Sequence, residues 1–304
     1  MTASFSAAAP PRSLALELLL LAALATLWGA SFTFIKLGVE TIPPVTFIAA
    51  RTVIAGGLLF CILRARGIQL PRDRATWRSL AIQACLNSVM PFTLIAWAET
   101  RIDAGLATIL NSTTPIFAFL ITWAITRHEA VTGRKLFGTV MGISGVCLIM
   151  GVGALTGLGS DLWGQLAMLV ASLSYGAAAI YGHNFKHLDS MVPAAGSMLC
   201  GAVILVPLSL LLDQPWTLQP SDTSLLALVA LSVFSTALAF VIYFRLVRTL
   251  GSVGVTSQAY LRIPIGVGIG AVFLGESLAG SAWLGLIFVV VGVAAMSLPA
   301  RKPG

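Results

Sequence analysis

Arg51 and Arg262 are basic residues committed to the interior of apolar segments, in a chain of 304 residues that is 58% hydrophobic and 10% charged. An ionised side chain inside hydrocarbon costs several kcal/mol, about 2.5–3.5 on insertion scales, and usually faces a cavity or a partner. Arg51 follows Pro44 by seven residues, which places it about 10 Å below one surface. Arg262 follows Gly254 by eight residues, about 12 Å from the other surface. Each has two open readings. A guanidinium held in a polar cavity suits a carboxylate or phosphate on a ligand. The same group could instead snorkel, or pair with Glu17 or Glu99 for folding. For Arg262 a later helix start, near Pro264, is a third option.

Neutral polar groups join them. Ser31, Asn87, Asn111 and Gln258 lie within apolar segments, where hydrogen bonds between helices explain them as well as ligand contact does. Trp28 and Tyr175 sit at mid-segment, away from the interfacial belt that aromatic residues favour. They either line a cavity or pack a core. Trp28, Ser31, Arg51, Asn87, Asn111, Tyr175, Gln258 and Arg262 are therefore the candidate substrate-binding residues. Tyr181, Trp97 and Tyr260 are weaker candidates, and Trp77, Trp163 and Trp283 read as interfacial anchors at segment starts.

Pro115 and Pro264 fall at matched places in two segments. Proline removes a helical hydrogen bond and kinks the helix, freeing carbonyls, so both are hinge candidates near a binding region. Glu129 and Glu276 also recur, at segment ends, where capping of the following turn or proton coupling would use them. No acidic residue lies near the middle of any segment, which weakens a proton relay built from a buried carboxylate.

Enzymatic chemistry finds little support. His128, His183 and His187 lie at or beyond segment ends, and neither H-E-x-x-H nor G-x-S-x-G occurs. The lack of a G-x-x-x-x-G-K-[ST] loop excludes ATP-driven transport by this chain alone. Cys61, Cys85, Cys147 and Cys200 have no C-x-x-C spacing and read as small buried residues, not disulfides or metal ligands. No cofactor is expected. A net charge of +7 might point to nucleic acid, but the basic residues flank apolar spans and form no aromatic-interleaved patch.

These residues need a frame. A soluble domain carries about 25% charged residues, so the bilayer is the expected surroundings. Ten apolar segments are long enough to cross, approximately 14–37, 44–63, 77–98, 104–124, 135–152, 162–182, 192–212, 224–244, 254–274 and 282–298. The first is too long for a signal-peptide h-region and is read as a retained span. Most of the 18 Lys and Arg residues fall in the connections on one side, including the Arg64–Arg78 cluster, Arg134, Lys186 and Arg245. Lys36 and Arg101 fall on the other. By the positive-inside rule both termini are cytoplasmic.

The frame is written twice. Trp28-Gly29-Ala30 matches Tyr175-Gly176-Ala177 at an offset of 147, and Glu129, Gly133, Gly138 and Gly145 match Glu276, Gly280, Gly285 and Gly292. Gly105 and Pro115 match Gly254 and Pro264 at an offset of 149. Five spans per copy, residues 14–152 and 162–298, force the second copy upside down relative to the first. Inverted repeats are the plan of many secondary transporters. Gly138/Gly142 and Gly266/Gly270 give small-xxx-small faces for close helix packing, or hinges.

Trp28-Gly29-Ala30-Ser31-Phe32, Arg51, Pro115 ahead of Glu129, and Gly275-Glu276 after Pro264 resemble the EamA-type drug/metabolite transporter superfamily. The likeness runs from about residue 14 to 298. Thr126-Arg127-His128-Glu129 departs from the Leu-Gly-Glu ending seen at Leu274-Gly275-Glu276. The resemblance implies an all-α membrane protein of ten helices in two inverted repeats around a central cavity. It implies export of amino acids or other small metabolites across the cell inner membrane, with import of vitamins or nucleoside-like compounds as the alternative. A receptor or scaffold without transport is the remaining option. The expected partners are a small-molecule substrate and the lipid bilayer. The oligomeric state stays open.

Overall fold

The computed structural model describes residues 14–126, 133–150, 162–243, 245–246, 249, 258–276 and 280–297. Among these residues every regular element is helical, which is what hydrocarbon requires of backbone polar groups that have no water to bond. Seven helices are long and apolar enough to cross a membrane: Ala15–Gly38, Pro44–Ala65, Arg74–Glu99, Ala104–Ala124, Leu162–Phe185, Met191–Leu212 and Asp222–Tyr243. Three shorter apolar helices, Leu136–Gly145, Leu261–Leu274 and Trp283–Gly292, stand where the remaining three expected spans fall. Residues 250–257, the start of the expected ninth span, lie outside the described residues, as does Glu129.

The sequence marks several boundaries. Helix α1 covers Leu14–Gly38, and α2, Pro44–Ala65, begins on a proline whose missing N–H is harmless there. Asp73 caps α3, Arg74–Ala84, accepting from the Thr76 amide at 2.7 Å. A π-helical turn, Cys85–Val89, joins α3 to α4, Met90–Glu99. The fourth span is broken at Ser112-Thr113 into α5, Ala104–Asn111, and α6, Thr114–Ile121. Then come α7, Gly133–Met150, α8, Leu162–Tyr181, and α9, Met191–Leu212. A further π-helical turn, Thr122–Thr126, follows α6, and Ser221 caps α10, Asp222–Ser232, which passes into a third, Val233–Leu238. Helices α11, Gln258–Leu274, and α12, Gly280–Ser297, complete the order.

The two prolines behave differently. Pro115 sits in the first turn of α6, just after the break, whereas Pro264 lies inside α11, which continues through it. The expected pair of matched kinks is thus one broken span and one unbroken helix. The irregularities that do match are two of the three π-helical turns, Cys85–Val89 and Val233–Leu238, at nearly the repeat offset; Thr122–Thr126 corresponds to plain helix in α11.

Packing links the two copies. Helix α2 lies on α9, α7 on α12, α1 on α11, and α8 on α4, α5 and α6. The closest approach is α7 on α12. A Cβ at Gly145 would lie 2.7 Å from the Gly285 carbonyl, and one at Gly292 would lie 2.6 Å from that of Gly138. These glycines serve close packing, so the hinge reading is not needed for them. The exterior is apolar, with Val203, Leu211, Val272 and Phe273 largely exposed, as a lipid-facing surface requires. Cys61 and Cys85 are exposed on this surface and Cys200 half-buried, all free thiols. Their expected burial is corrected, since the lipid-facing flank of a helix accepts a thiol as readily as a core does. The Cys147 side chain lies outside the described residues.

Candidate functional site

Trp28 and Tyr175 owe their positions to the glycine that follows each of them. A Cβ at Gly29 would meet the Gly266 amide at 3.1 Å, and one at Gly176 would meet the Ala118 amide at 2.8 Å. Only glycine lets α1 touch the α11 backbone, and α8 the α6 backbone, at these crossings. The neighbouring ring is then turned inward. Trp28 meets Phe240 edge-on, centroids 6.3 Å apart at 77°, and Tyr243 at 5.6 Å. Tyr175 meets Phe92 edge-on at 6.3 Å and 62°. Both aromatic groups line one cavity of about 680 Å³.

All eight residues expected to bind substrate line that cavity, contributed by α1, α2, α5, α8, α11 and the first π-helical turn. Pro115 also lines it, and Pro264 does not. Arg51 is buried and neither snorkels nor pairs with an acid. Its Nε donates to Thr236 Oγ1 at 3.1 Å, and its guanidinium lies 3.8 Å over the Phe92 ring. That geometry is a cation–π contact, worth about 2 kcal/mol or more where water is excluded. Arg262 lies in the second turn of α11, so the later helix start does not apply, and its buried Nε has no hydrogen-bond partner. Glu17 pairs instead with Arg245 at 3.4 Å and accepts from Thr249 at 2.8 Å. Among the described residues, no carboxylate lies within 4.0 Å of either cavity arginine.

Other polar atoms converge on the same space. Ser31 donates to the Trp28 carbonyl at 2.6 Å, and Ser172 Oγ approaches Asn111 Oδ1 at 3.5 Å. Gln258 Oε1 is buried without a partner. So are Gln83 Oε1 and Ser235 Oγ, two lining residues that the sequence reading missed. Buried polar groups are ordinarily paired, so a ring of unpaired donors and acceptors around an apolar-walled cavity is the chemistry of a ligand site. The cation surplus favours an acidic group there.

Of the weaker candidates, Trp97 lies under the Arg101 guanidinium at 4.5 Å and Tyr181 packs edge-on to Phe185. The Tyr260 side chain lies outside the described residues. Trp163 and Trp283 are exposed, and Trp77 is tied to the Pro71 carbonyl at 2.8 Å.

The cavity extends toward one end of the molecule, reaching the exposed Lys186 and the half-buried Ser190 in the connection after α8. The other end is closed. Phe32, Ile35, Ile95 and Ile263, all buried, form the floor. Beyond them Glu276 accepts from the amides of Ala104 and Gly105 at 2.7 and 2.8 Å. Its role is a cap, as one reading expected, but on α5 of the other copy and not on its own following turn. Thr46 donates from its amide and hydroxyl to Asp213 at 2.9 and 2.8 Å, adding a second tie between the copies there.

Comparison with known proteins agrees with this architecture. A family profile described as the EamA-like transporter family matches twice, over residues 15–151 and 162–298. An Escherichia coli (strain K12) protein named "Uncharacterized inner membrane transporter YedA" is 29% identical over 278 residues, 91% of this chain and 89% of its own length. "Uncharacterized transporter YoaV" of Bacillus subtilis (strain 168) is 27% identical over 269 residues, 88% and 91% of the two chains. A solved crystal structure superposes with a TM-score of 0.64 at 17% identity, covering 92% of this chain and 96% of its own. That likeness speaks to the fold alone.

Proposed function

From the premise that the chain belongs to the EamA-like transporter family and is a membrane transporter, we propose that it is a secondary transporter of a small carboxylate-bearing metabolite, seated in the inner membrane. An amino acid or a related compound fits the site, with export as the direction and alternating access as the mechanism. The observation that carries this reading is the convergence of eight in-span residues, two of them arginines without acidic partners, on one cavity of about 680 Å³. In a space walled by rings and floored by isoleucines, a guanidinium gains little from water and binds an anionic group strongly. Arg51 and Arg262 take the carboxylate. Asn87, Asn111 and Gln258 take the remaining polar groups, and Trp28 and Tyr175 cover the body of the ligand.

The inverted arrangement is supported by the exchange of contacts between copies, α1 on α11 against α8 on α6. With the termini cytoplasmic, the cavity leads toward the cytoplasm through the connection after α8, and the Glu276 end faces outward. Cysteine at Asp103 is expected to react with an impermeant thiol reagent from outside the cell, and cysteine at Ser79 to be protected. Labelling of both from one side would refute the topology.

The two aromatic walls favour a second ligand class, a ring-bearing vitamin or nucleoside-like compound. One experiment separates the readings: counterflow in proteoliposomes against radiolabelled amino acids, vitamins and nucleosides. Exchange of an amino acid supports the first, exchange of a neutral nucleoside supports the second, and no exchange of any member refutes both.

A further inference from the structure

The closed end holds a group that the cavity does not use. Glu99 ends α4 with 0% of its surface exposed, and neither carboxyl oxygen has a hydrogen-bond partner. Three charged groups face it from the surrounding elements: Lys36 of α1, Arg51 of α2 and Glu276 beyond α11. None neutralises it by contact. The Lys36 ammonium donates to the backbone carbonyls of Glu99 and Ile102, at 2.8 and 2.7 Å, and no basic nitrogen among the described residues lies within 4.0 Å of the carboxyl. Arg51 is engaged with Thr236 and Phe92. Glu276 is engaged with the α5 amides. Neither Glu99 nor Lys36 lines the cavity.

A buried ion with neither donors nor a paired charge loses several kcal/mol of hydration that nothing repays. An acid group retained in a membrane on such terms marks an ion or proton path. We propose that Glu99 is a proton-binding site whose loading and release is coupled to substrate movement. The proton sits on a Glu99 carboxyl oxygen while Glu276 caps α5. When that cap parts, water reaches Glu99 from the outer face. The O–H bond then breaks and its electron pair stays on the carboxylate. The proton leaves to that water, and the Lys36 ammonium turns from the Ile102 carbonyl to balance the charge. The proposal rests on the transporter reading and not on which substrate is carried.

Two measurements test it separately. Full-length protein in lipid vesicles is titrated while infrared difference spectroscopy follows the carbonyl band of protonated carboxyls. One band is expected to disappear in Glu99→Gln, and a spectrum unchanged by that substitution would overturn the proposal. Should Glu99→Gln not fold, Lys36→Met is expected to move the midpoint of the same band, and an unmoved midpoint counts equally against it. In the second measurement, a gradient of about one pH unit sustains roughly tenfold accumulation for one-for-one exchange. Using the amino acid exchanged in the counterflow panel, Glu99→Gln is expected to abolish that accumulation while retaining gradient-free counterflow. Accumulation equal to wild type overturns the coupling. If no amino acid is exchanged by the wild type, the carboxylate reading fails alone and the infrared measurement still decides Glu99.

Discussion

The two copies agree in their rings and differ in their charges. Trp28 answers Tyr175, and Phe240 answers Phe92 one residue off the offset, so each wall is an edge-on pair drawn from both copies. Arg51, by contrast, answers Met198, a fully buried apolar residue, and Arg262 answers Thr113 at the offset of 149. Duplication has kept the walls alike and let the polar contacts diverge. A symmetric cavity would accept a ligand in two orientations. This one has its cations unevenly placed, which fixes where an acidic group goes.

Restoring the missing symmetry should have the largest effect. Met198→Arg would bury an unpaired guanidinium against α2, where even Gly56 allows a Cβ only 3.2 Å of clearance from Met198. A buried charge without a partner costs several kcal/mol, about 3–5 when a pair is broken. Loss of the folded protein in a detergent melting curve is expected, and a melting temperature equal to wild type would show the copies to be interchangeable there. Removing the existing asymmetry comes next. Arg51→Gln and Arg262→Gln are each expected to lower kcat/KM for a carboxylate substrate by about a hundredfold, ~2.7 kcal/mol. Lysine should rescue poorly at either position, since an ammonium cannot reproduce a guanidinium fork. Unchanged affinity in both glutamine variants would assign these charges to folding.

The rings offer a finer test. Trp28→Ala and Tyr175→Ala are expected to impair transport by similar factors while the protein stays folded. Phe92→Leu should cost more than Phe240→Leu, because Phe92 also carries Arg51, a desolvated contact worth about 2 kcal/mol or more. Equal losses would mean that the cation does not depend on its ring. The smallest effect concerns the caps. Asp73 caps α3 and Ser221 caps its counterpart, α10. The hydrogen bond from Thr76 holds the Asp73 carboxyl below its ordinary value. The sign is therefore that of a depressed acid: its contribution is present at neutral pH and lost as pH falls through the lowered value. Hydrogen exchange at the start of α3 should speed up in acid, beyond the intrinsic change, while that of α10 should not. Parallel behaviour of both helices would dismiss the difference.

What the sequence disclosed follows from cost. A polar or charged residue inside hydrocarbon stands out because it is expensive, and Arg51, Arg262, Asn87, Asn111 and Gln258 were legible for that reason. Phe92 was not, since nothing separates a phenylalanine that carries an arginine from one that faces lipid. The π-helical turns were also silent, because one extra residue in a turn leaves apolar composition unchanged. Pro115 and Pro264 looked alike, yet α5 and α6 are separated by Ser112-Thr113 while α11 passes through its proline unbroken. Glu99 entered the sequence reading only as a pairing option for the arginines, because the charged groups that face it, Lys36, Arg51 and Glu276, are far away in the chain. The same holds for Glu276, whose partners lie 171 and 172 positions earlier.

That last contact makes the copies mutually dependent. The carboxylate that closes α5 is borne by the second copy, so the first copy alone would begin this helix with the Ala104 and Gly105 amides unanswered. A single copy on its own could have met that demand only from a neighbour. Joining both copies in one chain turns a requirement for a companion into a property of every molecule. It also released the two copies to drift apart everywhere except where each completes the other.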